Sequence, residues 1–398
     1  MRGSTAGITT TLKGGSPTHY LFLCILDSVF SAVIVAPAVV GYWRSVWALM
    51  GIYAYPADSV TSGVISTVIG ISGHLIFDLL QDFLIKYLHP DKKRIFYYVC
   101  SRIYTTCFAF VCVNGWRGPW VLLDYYTGFN LKILGSLAAI SIIILAKLKA
   151  LRNVSAPPFA LATDHAKNYF TVPTMFKIKM TEKTTLYVLD CIFSVLVVGT
   201  LVVFVWRGAW VLLDVFLFPN YESLSAWASL VIGYIIVALA FMLQPGMRWI
   251  CDRLTGFLRL CAADMFLIFS LCGTVNLWRG VWMLLNIYFL PDQMELSCWI
   301  THWACLVLLI LLGCSNSLLV RGVYIDAEEP AGKCVIFPCY YLRLIFQQER
   351  AKKIAKRLQL DTASKKKQDG GVDNYAATTN HITAISQLSI TEMKNHVV

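Results

Sequence analysis

The chain has 398 residues, of which 57% are hydrophobic and only 14% are charged. Soluble domains carry about 25% charged residues, so this composition excludes an ordinary soluble protein. Apolar stretches of roughly 20 residues, enough to cross a bilayer as a helix, recur along the chain. The net charge of +11 would suggest nucleic-acid binding if it were spread evenly. The basic residues instead lie between the apolar stretches, so membrane topology explains the charge and we expect no nucleic-acid partner.

We predict about eight membrane-spanning helices, which number the spans used below. They lie near residues 21–40, 60–80, 95–114, 130–148, 185–205, 224–243, 258–277 and 296–319. Of the 34 Lys and Arg residues, 28 fall in the two tails or in the connections after the second, fourth and sixth spans. Positively charged segments stay in the cytoplasm. Both termini are therefore predicted to be cytoplasmic, and the bilayer is the first expected partner.

The pattern Trp-Arg-x-x-Trp occurs four times, each time directly after an odd-numbered span. The copies contain Trp43, Arg44 and Trp47; Trp116, Arg117, Trp120 and Asp124; Trp206, Arg207, Trp210 and Asp214; and Trp278, Arg279 and Trp282. The first and third copies are separated by almost the same interval as the second and fourth, and we call it the half-chain interval. A fixed period indicates repeated structural units. We predict an all-α polytopic membrane protein of four parallel hairpin repeats, grouped into two four-helix halves.

The predicted halves cover residues 21–152 and 185–320. A cytoplasmic N-terminal tail, 1–20, would precede them, and a basic cytoplasmic linker, 153–184, would join them. A basic, partly disordered cytoplasmic tail, 321–398, would follow. Residues 342–358 are basic and amphipathic, which suits the anionic lipids of the inner leaflet. Cys334 and Cys339 are candidates for acylation, although ordinary free thiols are the simpler interpretation.

The repeated motif allows several interpretations. Tryptophan gathers at membrane interfaces and arginine extends to headgroups, so an aromatic belt is the simplest one. A belt does not require Arg directly after Trp in four copies. An Arg beside two Trp at i and i+4 would stack on an indole or pair with the acidic residue seven positions on, Asp124 or Asp214. The glycine after Arg would permit a close backbone approach or a turn. A structural corner holding each hairpin and an outward-facing ligand or partner site both remain open.

Ionisable residues inside a membrane normally face a protein interior or a cavity. Those that the predicted spans place at depth, as candidates for function, are Asp27, Arg102, Asp190, Asp264, His74 and Asp78. They indicate either a polar pathway for an ion or small solute or a set of interhelical salt bridges. Because a buried Arg needs an anionic partner, we expect Arg102 to pair with Asp27, Asp190 or Asp264, with Asp27 preferred.

The segments at residues 116–124 and 206–214 read WRGxWxLLD, and in eight spans they resemble the Fuseless family of invertebrate multi-pass membrane proteins. The first copy departs from this pattern, with Ser45 in place of glycine and Gly51 in place of the acidic residue. The resemblance implies a presynaptic plasma-membrane protein that organises calcium channels and supports neurotransmitter release, with channel or scaffold proteins as partners.

A transporter or channel for an ion or small solute is the alternative function, because of the charges inside the spans. The sequence contains no P-loop, GxSxG or HExxH motif. We therefore predict no enzymatic activity, no catalytic residues, no metal site and no cofactor.

Overall fold

The computed structural model describes residues 17–91, 93–166, 168–180, 183–326 and 332–368, and contains no strand in these ranges. Most of the predicted N-terminal tail and the chain beyond residue 368 lie outside the described residues. The chain divides into a larger unit, Phe30–Pro338, and a smaller unit whose described residues are 17–29 and 339–368. The predicted all-α fold is confirmed.

The described helices are α1 (Pro17–Phe30), α2 (Ala36–Tyr53), α3 (Ser59–Tyr87), α4 (Arg94–Thr127), α5 (Leu131–Lys147), α6 (Thr184–Ile192), α7 (Thr200–Phe216), α8 (Glu222–Arg253), α9 (Gly256–Tyr288), α10 (Met294–Leu311) and α11 (Leu342–Gln368). A π-helical segment, Ser31–Val35, joins α1 to α2, and a second one, Phe193–Gly199, joins α6 to α7. The two 3₁₀ turns are Leu151–Val154 and Ser315–Leu318.

Seven segments of the described chain are long and apolar enough to cross a membrane. They are Thr18–Tyr53, α3, α4, Thr184–Phe216, α8, α9 and α10. Helix α5 has 17 residues, at the short end of the range of about 17–25 residues for a spanning helix. Large apolar side chains such as Val68, Ile140, Val231 and Val307 are exposed along the outer helices, as expected where a helix faces lipid. The protein is therefore a multi-pass membrane protein.

The larger unit has an inner and an outer layer of helices. The inner helices are α2, α4, α7 and α9, which carry the four motifs, and each of them contacts two inner neighbours. Each outer helix packs mainly on one inner helix: α3 on α4, α5 on α7, α8 on α9 and α10 on α2. Each of the first three pairs therefore joins an even-numbered span to the odd-numbered span that follows it in the sequence. The pair of α10 and α2 closes the circle, because α10 belongs to the last repeat and α2 to the first.

Glycine after the motif arginine lets these pairs approach closely, as predicted. A Cβ atom on Gly118 would lie 2.5 Å from the backbone nitrogen of Thr67 in α3, and one on Gly280 would lie 2.6 Å from that of Leu230 in α8. Small residues allow membrane helices to pack backbone against backbone. The glycine therefore sets the distance between the inner and outer layers.

The linker and the start of the C-terminal region are packed against the bundle instead of lying free. We call residues 150–163 and 314–323 the plug. Leu151, Phe159 and Leu318 in it are at most 1% exposed. The predicted basic cytoplasmic linker, 153–184, thus begins as part of the hydrophobic core.

Two aspartates that correspond to each other at the half-chain interval fix the two parts of the plug together. Asp164 accepts hydrogen bonds from the backbone nitrogens of Ser315 and Asn316, at 3.0 and 2.8 Å. Asp326 accepts them from the backbone nitrogens of Leu151 and Arg152, both at 2.7 Å. Burial raises the pKa of Asp326 to about 6. Each half of the chain therefore caps the 3₁₀ turn of the other half.

The glycine contacts give a direct test of the layer packing. Gly118→Ala should lower the thermal unfolding midpoint in lipid nanodiscs, because overpacking costs about 1–3 kcal/mol. Gly135→Ala in α5 is the control, since nothing lies within 4 Å of its Cβ position. The control should unfold at the wild-type temperature or slightly above it, because alanine favours helix over glycine. Equal midpoints for the two variants would contradict the packing described here.

Candidate functional site

The eight motif tryptophans form two stacked rings at the centre of the bundle. Within each ring the indoles meet edge to face. The ring nearer the plug joins Trp43, Trp116, Trp206 and Trp278, with neighbouring ring centroids 5.3–5.5 Å apart. The second ring joins Trp47, Trp120, Trp210 and Trp282, with centroids 5.5–6.0 Å apart. We call them the inner and outer tryptophan rings.

This arrangement follows from the motif spacing. Residues at i and i+4 lie on one face of a helix, so each inner helix contributes one indole to each ring. Edge-to-face aromatic pairs contribute about 0.5–1.5 kcal/mol beyond their burial. The indoles are in van der Waals contact around the axis and close it. The belt interpretation is wrong, because the motif tryptophans face the centre of the bundle and not the lipid.

The inner ring also binds the plug. The indole nitrogens of Trp43, Trp206 and Trp278 donate hydrogen bonds to plug carbonyl groups. The acceptors are the carbonyl oxygens of Leu318 at 3.1 Å, Val154 at 2.9 Å and Pro157 at 2.8 Å. A buried indole N–H needs such an acceptor, so ring and plug stabilise each other.

The four motif arginines are buried around the rings, with exposures of 1–5%. Arg279 shows the bonding pattern in full. Its Nη atoms donate to the hydroxyl groups of Ser229 and Ser225 on the outer helix α8, at 2.6 and 3.0 Å. Its Nε donates to Asp214 of the preceding repeat at 2.9 Å. One arginine thus joins an outer helix to the neighbouring inner helix.

The other arginines use parts of the same pattern. Arg44 donates from Nε to Asn286 of the fourth repeat, at 2.6 Å. Arg207 pairs through Nε with Asp124 of the second repeat at 2.5 Å, and Asp214 of its own repeat lies 3.7 Å from its Nη1. The motif therefore links neighbouring repeats around the circle and does not form a corner within one hairpin.

The link is incomplete between the first two repeats. Arg117 donates to the hydroxyl groups of Ser62 and Ser66, at 2.9 and 2.7 Å. Its Nε has no hydrogen-bond partner among the described residues. The equivalent acidic position is Gly51, where a Cβ would have only Arg117 Nη2 within 4 Å, at 3.6 Å. The departure of the first copy from the motif therefore leaves a buried cation without its anionic partner.

Arg102 pairs with a residue that the sequence analysis did not consider. Its guanidinium forms a salt bridge with Asp164 of the linker and donates to Ser315 at 2.9 Å and Tyr169 at 3.1 Å. The predicted pairing with Asp27, Asp190 or Asp264 is wrong. The linker was expected in the cytoplasm, whereas its folding back carries Asp164 to Arg102.

Asp27 and Asp190, which correspond at the half-chain interval, both bind backbone N–H groups of a loop or helix start. Asp190 accepts hydrogen bonds from the Thr174 hydroxyl at 2.6 Å and the Phe176 nitrogen at 3.0 Å. In the smaller unit, Asp27 accepts a bond from the Leu342 nitrogen at 2.6 Å, where α11 begins, and pairs with Arg343 at 2.5 Å. These carboxylates therefore anchor chain segments.

The remaining three predicted residues differ in their surroundings. The ring nitrogens of His74 face the carbonyl oxygens of Gly70 and Val320, at 2.8 and 3.3 Å. Asp78 is 2% exposed, and Asp264 is half-buried. One side-chain oxygen of each aspartate has no hydrogen-bond partner in the described chain. Arg102 and Asp190 do not share a site, so they do not form the predicted polar pathway.

Sequence reasoning missed the serines that receive the arginines. Ser62 and Ser66 recur at the half-chain interval as Ser225 and Ser229. The same interval that revealed the motif would have revealed them.

These features define a polytopic all-α membrane protein whose four repeats close around a tryptophan and arginine core. A model of the Fuseless family matches residues 22–319, most of the chain, and the protein belongs to that family. No curated protein and no solved structure matches it.

The missing partner of Arg117 can be supplied. Gly51→Asp should place a carboxylate beside the guanidinium and raise the unfolding midpoint, because an uncompensated buried charge is destabilising. Gly51→Asn is the control, because asparagine is similar to aspartate in volume and helix propensity but carries no charge. We expect the free energy of unfolding of the Asp variant to exceed that of the Asn variant by about 1–2 kcal/mol, which is below the effect of about 3–5 kcal/mol for a fully buried pair because Gly51 is only half-buried. A midpoint for Asp at or below that of Asn would refute the interpretation.

Proposed function

We propose that this protein is a presynaptic organiser of the plasma membrane. With both termini in the cytoplasm, it gathers calcium channels at active zones through channel or scaffold partners and thereby supports neurotransmitter release. The observation that carries the proposal is membership of the Fuseless family over residues 22–319, the region that builds the tryptophan and arginine core.

The architecture supports an organising role. The two tryptophan rings close the axis of the inner helices, and the plug binds the inner ring through three indole hydrogen bonds. Interlocking contacts of this kind favour one rigid arrangement over alternating states. A rigid core suits a protein that presents fixed surfaces to partners better than one that moves a solute along its axis.

Helix α11 supports a contact with the membrane or with partners at its inner surface. Its exposed side chains include the basic residues Lys352, Lys353 and Lys356 and the apolar residues Ile354 and Leu358. Basic residues near an anionic leaflet contribute about 1 kcal/mol each. We propose that α11 binds the anionic lipids of the inner leaflet and orients the cytoplasmic tail toward presynaptic proteins.

Restoring the protein to neurons that lack it tests the proposal. Wild type should restore calcium-channel density at active zones and evoked release. Replacing Lys352, Lys353 and Lys356 with Gln should reduce both by more than half at equal surface expression, because α11 loses its charge. Replacement of the same residues with Arg keeps the charge and should behave as wild type.

Channel density and release that do not differ between neurons with and without the wild-type protein would contradict the proposal. Ion or solute flux through the purified protein in vesicles, found together with that result, would favour the transporter alternative.

A further inference from the structure

A cavity of about 440 Å³ lies between α3, α4 and the π-helical segment Phe193–Gly199. Its volume falls within the range of about 300–1,000 Å³ typical of small-molecule sites. Most of its wall is apolar, and the residues that matter here are Ile71, His74, Asp78, Trp116, Ser194 and Phe204. Neither the proposed function nor the motif network assigns it a role.

The repeat provides an internal comparison for this cavity. At the half-chain interval, Ile71 corresponds to Tyr234, and Asp78 corresponds to Phe241. Tyr234 donates its hydroxyl to the carbonyl oxygen of Ala32 at 3.4 Å, and Ala32 lies in the π-helical segment equivalent to Phe193–Gly199. The second half thus places aromatic side chains where the first half has a cavity.

Asp78 is the polar group that this cavity leaves unsatisfied. It is 2% exposed, and its Oδ1 has no hydrogen-bond partner among the described residues. The nearby Arg321 donates instead to Tyr104 at 2.8 Å and to the Tyr169 carbonyl at 2.6 Å. A buried carboxylate without a hydrogen-bonded cation is unfavourable, so the site calls for a donor that also carries positive charge.

Two other polar side chains of the wall, those of Thr174 and Ser194, already have partners. Thr174 donates to Asp190 at 2.6 Å, and Ser194 accepts the backbone N–H of Met175 at 2.9 Å. The acceptor without a donor is therefore Asp78 Oδ1, at one end of a mostly apolar cavity. Tyr126 and Leu196 also line the cavity and are exposed, at 73% and 40%, so the space opens toward the surface that faces lipid.

We propose that this cavity binds a lipophilic amine that enters from the bilayer. Its ammonium group donates to Asp78, and its apolar body lies against Ile71, Trp116 and Phe204. An ammonium group donates a hydrogen bond to the carboxylate and also neutralises its charge, whereas a hydroxyl group only donates a hydrogen bond. Trp116 belongs to the inner tryptophan ring and Val320 of the plug also lines the cavity, so the ligand contacts both.

Three probes with one chain length separate charge from apolarity: octylamine, 1-octanol and octanoate. Binding to the full-length protein in phosphatidylcholine nanodiscs is measured by titration calorimetry and by the shift of the unfolding midpoint. Octylamine should bind saturably, and at least tenfold more tightly than either other probe. Asp78→Asn should weaken octylamine at least tenfold and raise the midpoint of the free protein.

Matched variants on α3 locate the site. Ile71→Tyr, which copies the second half, should abolish saturable binding, whereas Ile76→Tyr on the exposed face should not. Asp82→Asn, also exposed, controls for Asp78→Asn. Octylamine binding that is equal in wild type, Asp78→Asn and Ile71→Tyr would overturn the proposal, as would 1-octanol binding as tight as that of octylamine. If Ile71→Tyr does not fold, the octylamine affinities of wild type and Asp78→Asn still test the proposal.

Discussion

The fold depends on the burial of four arginines inside a helical membrane bundle. A buried guanidinium is tolerated only where hydrogen-bond acceptors, and preferably carboxylates, surround it. The repeat meets this constraint by dividing the partners between two neighbours. Serine hydroxyls of the outer helix receive Arg44, Arg117 and Arg279. An acidic or amide oxygen of the preceding repeat receives Arg44, Arg207 and Arg279. Because no repeat can satisfy its arginine alone, the four must close into a circle. The tryptophan rings then fill the axis that the circle leaves.

The same constraint explains the charges nearer the plug. Arg102 is neutralised by Asp164, and Asp190 accepts hydrogen bonds from the Thr174 hydroxyl and from the backbone nitrogens of Phe176 and Ile178. These contacts fix connecting segments to the helices, just as the motif arginines fix one helix to another. A pathway for ions would require such groups to face a shared aqueous space, and here they face their own local partners.

Much of this was predictable from the sequence, and what was missed has physical reasons. Hydropathy indicated the helical class, and the half-chain interval indicated the repeats, because both depend on local pattern. The pairing of α10 with α2 depends on closure of the circle, which no local pattern reports. Asp164 was overlooked because its neighbours are polar and basic, and charge counting treats such a segment as solvated. The tryptophan rings were not predicted because Trp is enriched at membrane interfaces, and because the i, i+4 spacing does not show which other helices the indoles face.

The repeats differ from one another at a few positions, and these differences break the symmetry of the bundle. Gly51 removes one carboxylate from the circle, and Asp78 with Ile71 opens a cavity that Phe241 and Tyr234 replace in the second half. Such departures are the places where a repeat protein acquires properties that its symmetric core does not need.

The central claim, a closed and dry ring bound to the plug, is tested most directly by hydrogen exchange at the indole nitrogens. In ¹⁵N-labelled protein transferred to deuterated buffer, the indole signals of Trp43, Trp206 and Trp278 should persist far longer than those of the exposed Trp227 and Trp249. The reason is that the three ring nitrogens donate to plug carbonyl oxygens away from water. Exchange of the three ring signals as fast as that of Trp227 and Trp249 would show an open, hydrated centre and contradict the account.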